Sequence, residues 1–369
     1  MYNKSITQSI LLFGPLLLTC LGIIMIYSAS SIFADYKFHD GGYFMKKQFL
    51  FAMVGTLCML LIMRIPYDRL RRLAYPFWII SVGLLVGVLV PGIGTEIGGA
   101  VRWLRIGPLS FQPAEFVKLA VIILLAYSLS KKGRDKIKNF SIGVVPHLLL
   151  ILPLCALILV QPDFGTAAMI TTLLFGMMFI GGVRLRYLFG LFGAALCAGV
   201  PLIAMKGYRM ERMLTFLDPW EKSSGSGFQI IQSFLAFGAG GLRGTGLGNG
   251  TQKLFYLPEP HTDFILAVIG EELGFVGVML VVIVFIAIVM CGLKVAMHAQ
   301  DLFGAYVALG IVMLLGIQTI INMGVVLGLL PTKGMPLPFV SYGGTSLVMN
   351  LMAVGVLLSI SAQADFKAT

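Results

Sequence analysis

FILAVIGEELGFVGVMLVVIVFIAIVMCGL, residues 264–293, is an apolar run whose only charged residues are Glu271 and Glu272. A bilayer core takes about 20 apolar residues as a helix, so this stretch is long enough to cross and then to tilt, kink or extend beyond the lipid. Outward from it, the same template fits 10–31, 48–64, 73–91, 112–129, 141–160, 165–183, 188–206, 302–330 and 347–361. The composition agrees: of 369 residues, 58% are hydrophobic and 12% are charged, and the mean hydropathy is +0.94. Soluble domains carry about 25% charged residues, and half of that leaves too little polar surface for a body in water. The expected class is all-α: a polytopic integral membrane protein of about ten transmembrane helices, read as a single domain over 1–369.

The net charge is +11, but no basic-aromatic groove or basic tail points to nucleic acid. The cations sit in short loops: Arg64, Arg69, Arg71 and Arg72; Lys131, Lys132, Arg134, Lys136 and Lys138; Arg184 and Arg186; and Lys294. With Lys4 and Lys367 at the termini they face only Asp68, Asp135, Asp301 and Asp365 as acids. The positive-inside rule places this side, and both termini, in the cytoplasm of a plasma (inner) membrane protein. The other side holds short turns at 92–111, 161–164 and 331–346. It also holds a large extracytoplasmic loop, 207–263, between the seventh and eighth spans. Cys20, Cys58, Cys155, Cys197 and Cys291 all lie inside apolar runs without metal-ligand spacing, so they read as small packed residues.

Ionisable residues at membrane depth are candidate functional sites because each is costly unless paired or hydrated. Glu115 and Lys118, three apart at the start of the fourth span, share a helix face and can form a salt bridge, structural or lining a polar cavity. Glu271 and Glu272 are adjacent, about 100° apart on a helix, so they are not expected to share a face; one should meet a basic partner. Asp163, after Gln161 and Pro162, reads as a helix N-cap or a site carboxylate. Asp263 lies in LPEPHTDF (257–264), where Pro258 and Pro260 stiffen the approach to the eighth span. It too can be an N-cap, or, beside His261 and Glu259, a base at the membrane boundary with a raised pKa. Arg102 and Arg105 flank Trp103 and could bind a phosphate or anchor the chain at the interface. Lys333, in LPTKGMPLPFVSYGGTS (330–346), carries the same two readings, and the irregular backbone there fits a cavity wall. The Gly238–Gly250 stretch carries no Walker pattern. These residues leave transporter, channel and lipid-handling enzyme open.

Four stretches together resemble the SEDS (shape, elongation, division, sporulation) family. They are RWLRIGPLSFQPAEFVKLA (102–120), QPDFGTA (161–167), GSGFQIIQSFLAFGAGGLRGTGLGNGTQKLFYLPEPHTDFILAVIGEELG (225–274) and LPTKGMPLPFVSYGGTS (330–346). Within the family, the TKG of 332–334 and the LGNGTQKLFYLPEPHTDF stretch resemble the septal branch more than the elongation branch. The resemblance implies a ten-helix fold and a peptidoglycan glycosyltransferase that joins lipid II units by β-1,4 linkage at the division septum, releasing undecaprenyl pyrophosphate. Asp263 matches the family's essential aspartate, with the implied role of general base. Arg102, Glu115, Lys118, Gln161, Asp163, Glu272 and Lys333 fall in matching motif positions around the implied substrate cavity. Arg102 and Lys333 are expected to stabilise the donor pyrophosphate, and Glu115 and Lys118 to shape the cavity. A divalent cation, Mg or Mn, could bridge pyrophosphate and carboxylates, though no ligand cluster specifies one. The implied partners are a class B penicillin-binding protein (a transpeptidase), divisome regulatory proteins and membrane lipid.

Two rivals remain at this stage. A lipid II flippase would need a polar path through both halves of the bundle, whereas the unusual acids and Gly/Pro-rich turns cluster on the outer side. No internal repeat of the kind common in transporters is visible. A scaffold that only recruits the penicillin-binding protein would leave Asp263, Glu115 and Lys118 to packing alone.

Overall fold

The computed structural model describes residues 4–97, 100–106, 109–204, 215–221, 227–251, 260–332 and 334–365. Its helices are α1 (Lys4–Phe38), α2 (Tyr43–Ile62), α3 (Arg69–Leu89), α4 (Pro113–Ser130), α5 (Arg134–Ile137), α6 (Phe140–Gly143), α7 (Val145–Val160), α8 (Phe164–Ile180), α9 (Leu185–Ala204), α10 (Phe228–Gly240), α11 (Ile265–Met297), α12 (Leu302–Val326) and α13 (Gly344–Gln363). Each apolar run read from the sequence overlaps a helix among the described residues; 141–160 is α6 and α7 in succession. Eight stretches among the described residues are long and apolar enough to cross a membrane, and α8 and α9 are shorter apolar helices. The chain is a polytopic helical membrane protein.

α4, α12 and α13 form the centre, and most of α4 and α13 is buried. α4 packs on α3, α8 and α12, while α13 packs on α1, α2 and α12. Between membrane helices there is little hydrophobic drive, so close van der Waals approach decides the packing. α2 and α13 show how close that approach is. A Cβ on Gly55 would meet Leu351 Cδ1 at 2.7 Å, and one on Gly355 would meet the Met59 carbonyl oxygen at 2.8 Å. α2, α3 and α11 turn rows of large apolar side chains outward, as lipid-facing helices should.

The chain enters and leaves at one end of the bundle. Lys4 Nζ donates to the carbonyls of Ala362 and Ala364 at 2.8 and 3.0 Å, and the Asp365 amide donates to His298 O just past the end of α11. At that end Arg71, in the first turn of α3, pairs with Asp301, which caps α12 through the Gly304 amide.

The opposite end departs from expectation in two places. Residues 92–111, read as a turn, carry a three-stranded antiparallel sheet of β1 (Gly94–Ile97), β2 (Ala100–Ile106) and β3 (Leu109–Phe111), in that order. Leu104 faces Phe111 and Thr95 faces Trp103 in its register. The β-branched and aromatic content of VRWLRI favours a strand over a turn. Residues 207–263, read as a loop, contain α10, which packs on α11.

Candidate active site

α11 begins at Ile265 with Phe264 as its N-cap residue. Asp263 therefore stands one residue before the cap, half-buried, and its main-chain carbonyl accepts from Asn322 Nδ2 of α12 at 2.9 Å. His261, two residues earlier, is buried in an aromatic cage. Phe44 lies 4.4 Å away between ring centroids, Tyr342 5.5 Å and Phe33 6.4 Å. Burial pulls the His261 imidazole down to about 4, so it is neutral at physiological pH and brings no positive charge to Asp263. Burial also pushes the Tyr342 hydroxyl up to about 12.

The segment after α12 closes over this turn. Asn322 Nδ2 donates to Met335 O at 2.7 Å as well as to Asp263 O. The Tyr342 amide donates to His261 O at 2.9 Å. Gln48 of α2, wholly buried, donates through Nε2 to Ser341 O and accepts from the Gly343 amide. Ser341 Oγ accepts from the Leu337 amide at 2.8 Å. α1 passes beneath: a Cβ on Gly22 would lie 2.5 Å from the Val340 carbonyl oxygen. Phe339, buried, is held at φ 65°, a left-handed conformation that costs energy and persists only where its surroundings enforce it. From Met335 to Ser341 the irregular backbone is mostly buried and tied to α1, α2 and α12, as such backbone must be where lipid is near. Within it, Gly334 faces the candidate base, since a Cβ there would stand 2.8 Å from Asp263 Oδ2. Lys333, Glu259 and Pro258 lie outside the described residues.

Glu271 and Glu272 behave differently from the helical-wheel expectation: both converge on one loop. A Cβ on Gly250 would meet Glu271 Oε2 at 2.7 Å and Glu272 Oε1 at 3.0 Å. Glu271 accepts from the Thr251 amide and hydroxyl at 2.6 and 3.0 Å. Glu272 accepts from the Gly248 amide at 3.1 Å, and Ser28 Oγ of α1 lies 2.7 and 2.8 Å from its two oxygens. Both side chains reach it because the loop passes across them, and α11 breaks just beyond, at Gly274 (φ 66°, ψ −166°). The main-chain groups released there are taken up by the incoming loop: Thr245 and Gly246 amides donate to Glu271 O and Glu272 O, and Phe275 and Val276 amides donate to Gly241 O and Leu242 O. A buried helix break needs such substitutes.

On the other flank, Arg102 of β2 crosses to the α7–α8 turn, where Nε donates to Gln161 O at 3.1 Å and Nη2 to Pro162 O. Side chains alternate along a strand, so Arg102 and Arg105, three apart, project to opposite faces and do not form one forked anion site. Gln161 is buried and donates to Leu85 O of α3 at 2.9 Å. Asp163 caps α8, with Oδ1 accepting from the Thr166 amide at 3.0 Å and Oδ2 from its hydroxyl at 2.8 Å. That is the N-cap reading of Asp163. Glu115 and Lys118 form the expected pair at 2.8 Å, both buried in α4. Glu115 Oε2 is buried with no hydrogen-bond partner among the described residues.

The sheet joins the two flanks. Thr345, at the start of α13, accepts from the Gln112 amide and donates to Ser110 O, each at 3.2 Å. Asp263, Gly334, the sheet with Arg102, the α7–α8 turn and the first turn of α4 thus lie at the end of the bundle opposite the termini. Glu272 sits two turns along α11, bonded to the Gly248 amide and to Ser28. Among the described residues no three His, Cys, Asp or Glu side chains gather as a metal set. The sequence reading missed Asn322, Gln48, Ser28 and Ser341 as parts of this end. The only signal was that each is a polar residue in or beside an apolar run.

The chain is 49% identical over 353 residues to the probable peptidoglycan glycosyltransferase FtsW of Trichlorobacter lovleyi, covering 96% of this chain and 92% of that protein. It is 45% identical over 359 residues to stage V sporulation protein E of Bacillus subtilis, covering 97% and 98%. Among solved structures, it aligns with a chain from a study of how a peptidoglycan synthase complex coordinates polymerization and crosslinking (TM-score 0.78, 33% identity, 95% and 96% covered). It also aligns with the rod shape determining protein RodA of Thermus thermophilus (TM-score 0.70, 29% identity, 96% of each chain). The family model for the FtsW/RodA/SpoVE cell cycle proteins matches residues 8–365, and the chain belongs to that family.

Proposed function

We propose that this chain is a peptidoglycan glycosyltransferase that polymerises lipid II on the outer face of the plasma membrane at the division septum. The observation that carries the reading is the placing of Asp263. It is a half-buried carboxylate at the mouth of α11, fixed from behind by Asn322 and faced by a glycine. It lies at the bundle end away from the basic loops and termini. By the positive-inside rule that end is extracytoplasmic, with ten crossings and both termini in the cytoplasm. A substrate with a polyprenyl tail in lipid and sugars at the surface meets the protein there.

In the proposed reaction, Asp263 takes the proton of the acceptor's 4-hydroxyl as that oxygen attacks C1 of the donor sugar. The new C1–O4 bond forms, the bond from C1 to the phosphate oxygen breaks, and undecaprenyl pyrophosphate leaves with the electron pair. A base must lie within hydrogen-bond reach of the proton it abstracts, and a carboxylate with a pinned main chain meets the demand for precise orientation. Arg102 and Lys333 are assigned to the negative charge that grows on the pyrophosphate. The Glu115–Lys118 pair shapes the cavity behind them, and Gln161, Asp163 and Glu272 hold its walls. A class B penicillin-binding protein crosslinks the strands, under the control of divisome regulators.

The test is polymerisation of labelled lipid II by the purified chain with its cognate penicillin-binding protein, the partner's transpeptidase serine being disabled. Wild type should give glycan ladders, and a folded, partner-bound Asp263→Ala variant none. Equal ladders from both would remove Asp263 from the chemistry. No ladders from either, with the complex intact, would favour the flippase or scaffold reading.

A further inference from the structure

We infer that Asn322 is a positioning residue for polymerisation: its side-chain amide sets the gap between the Asp263 turn and the Gly334–Leu337 segment. The inference rests on Asp263 being the general base. Asn322 is buried, at 2% exposure, near the end of α12. Its Nδ2 spends both hydrogens on main-chain carbonyls of two separate segments, Asp263 O at 2.9 Å and Met335 O at 2.7 Å. Its Oδ1 is buried with no hydrogen-bond partner among the described residues.

An unpaired buried amide oxygen is a cost, and a leucine of nearly the same shape would avoid it. Leucine cannot donate twice. Among uncharged side chains only Asn and Gln carry two N–H donors on one nitrogen, so the double donation is the property the position uses. The two acceptors also bracket the chemistry. One is the carbonyl of the base itself. The other belongs to the residue after Gly334, the glycine whose missing Cβ faces Asp263 Oδ2. Holding both carbonyls on one nitrogen fixes the carboxylate against its opposing wall without any contact between Asn322 and substrate. Displacement of a reacting group by about 1 Å can cost a hundred-fold in rate.

The experiment uses the full chain with its cognate penicillin-binding protein and measures initial rates of lipid II polymerisation over a range of lipid II concentrations. The Asn322→Leu variant should lose about 10- to 100-fold in kcat with KM within about two-fold. Asn322→Ala, which leaves room for water, is the second variant should the leucine one fail to fold. Thr319→Val is the structural comparator: it removes a buried hydroxyl whose hydrogen bond stays inside α12, to Leu315 O, and should keep the wild-type rate. A double-mutant cycle with Gly334→Ala separates positioning from general destabilisation. If both changes disturb the same gap, their effects on kcat are less than additive. The inference is overturned if a folded Asn322 variant keeps kcat within two-fold of wild type, or if the cycle is additive. Wild-type ladders from Asp263→Ala would instead defeat the base assignment, a result that the Asn322 rates cannot mimic.

Discussion

A methyl group on Gly334 would stand 2.8 Å from Oδ2 of Asp263. That is closer than a methyl carbon and a carboxylate oxygen settle, so Gly334→Ala must move the carboxylate, the 334–337 segment or both. Gly334 is itself exposed, so its fold cost should be small, within about 1 kcal/mol. The expected outcome is a normally folded protein whose polymerisation rate drops roughly ten-fold or more. Initial rates of glycan formation, set beside thermal unfolding in detergent, check both halves. A rate equal to wild type would mean that the carboxylate has slack the geometry does not suggest.

Glu272 holds the glycine-rich loop to two helices, through Ser28 on α1 and the Gly248 amide. Glu272→Ala removes both ties, and hydrogen bonds to a charged group contribute roughly 1.5–3 kcal/mol each. The Tm should fall by several degrees, and protease should cut the 244–251 loop faster than in wild type. Ser28→Ala removes only the α1 tie and should show a smaller shift in the same direction. Equal protease resistance in Glu272→Ala and wild type would refute the clamp.

The Glu115–Lys118 pair is buried in α4 at 2.8 Å. Removing one partner leaves a charge in a low-dielectric interior, so Lys118→Met alone should cost about 3–5 kcal/mol. Replacing both, as Glu115→Leu with Lys118→Met, should restore most of that stability, since a well-packed apolar pair is often no worse than a buried ion pair. Thermal unfolding of the two singles and the double reads the coupling directly. If the double is as unstable as the Lys118 single, the pair is not a self-contained bridge.

His261 sits among Phe33, Phe44 and Tyr342, and burial lowers its pKa from 6.5 to about 4. The sign follows from proton counting. Between those values the unfolded chain binds a proton that the folded one refuses, so stability rises with pH across the window. The contribution is complete above about pH 6.5 and is lost as pH falls towards 4, amounting to roughly 3 kcal/mol. His261→Phe keeps an aromatic ring in the cage and removes the titration. Its Tm should vary less between pH 4 and 7 than that of wild type, and parallel curves would rule out this assignment.

The helical architecture was legible because a bilayer imposes a length on each apolar run, which is why 73–91 and α3, or 112–129 and α4, nearly coincide. The alternation of Lys and Arg loops likewise put both termini at one end, where Lys4 meets Ala362. The Glu115–Lys118 bridge was readable from i,i+3 spacing within one helix. What periodicity could not give was contact between distant segments. Nothing about Asn322 in the sequence says that its amide bridges Asp263 and Met335. Nor does adjacency reveal that Glu271 and Glu272 converge: a helical wheel places side chains on their own helix and says nothing of a loop that passes across both. The small sheet was hidden because residues 92–111 were judged against a membrane template, which strands of three to seven residues do not fit.

Arg102 brings the two kinds of reading into conflict, and the resolution can be measured. The family resemblance assigns it to the donor pyrophosphate, while the structure shows Nε and Nη2 donating to the carbonyls of Gln161 and Pro162. A guanidinium is a rigid planar fork with five donors, so it can brace the turn with one edge and present charge with another. Lysine keeps the charge but has no fork. If bracing is essential, Arg102→Lys should lose nearly as much polymerisation as Arg102→Ala, because the α7–α8 turn loosens in both. If charge at the pyrophosphate dominates, the lysine variant should recover much of the rate. The geometry, with two donors already committed to main-chain carbonyls, favours the first outcome: comparable losses in both variants. An Arg102→Ala enzyme with normal polymerisation would defeat the pyrophosphate role and the brace together, leaving the arginine as an anchor at the membrane surface.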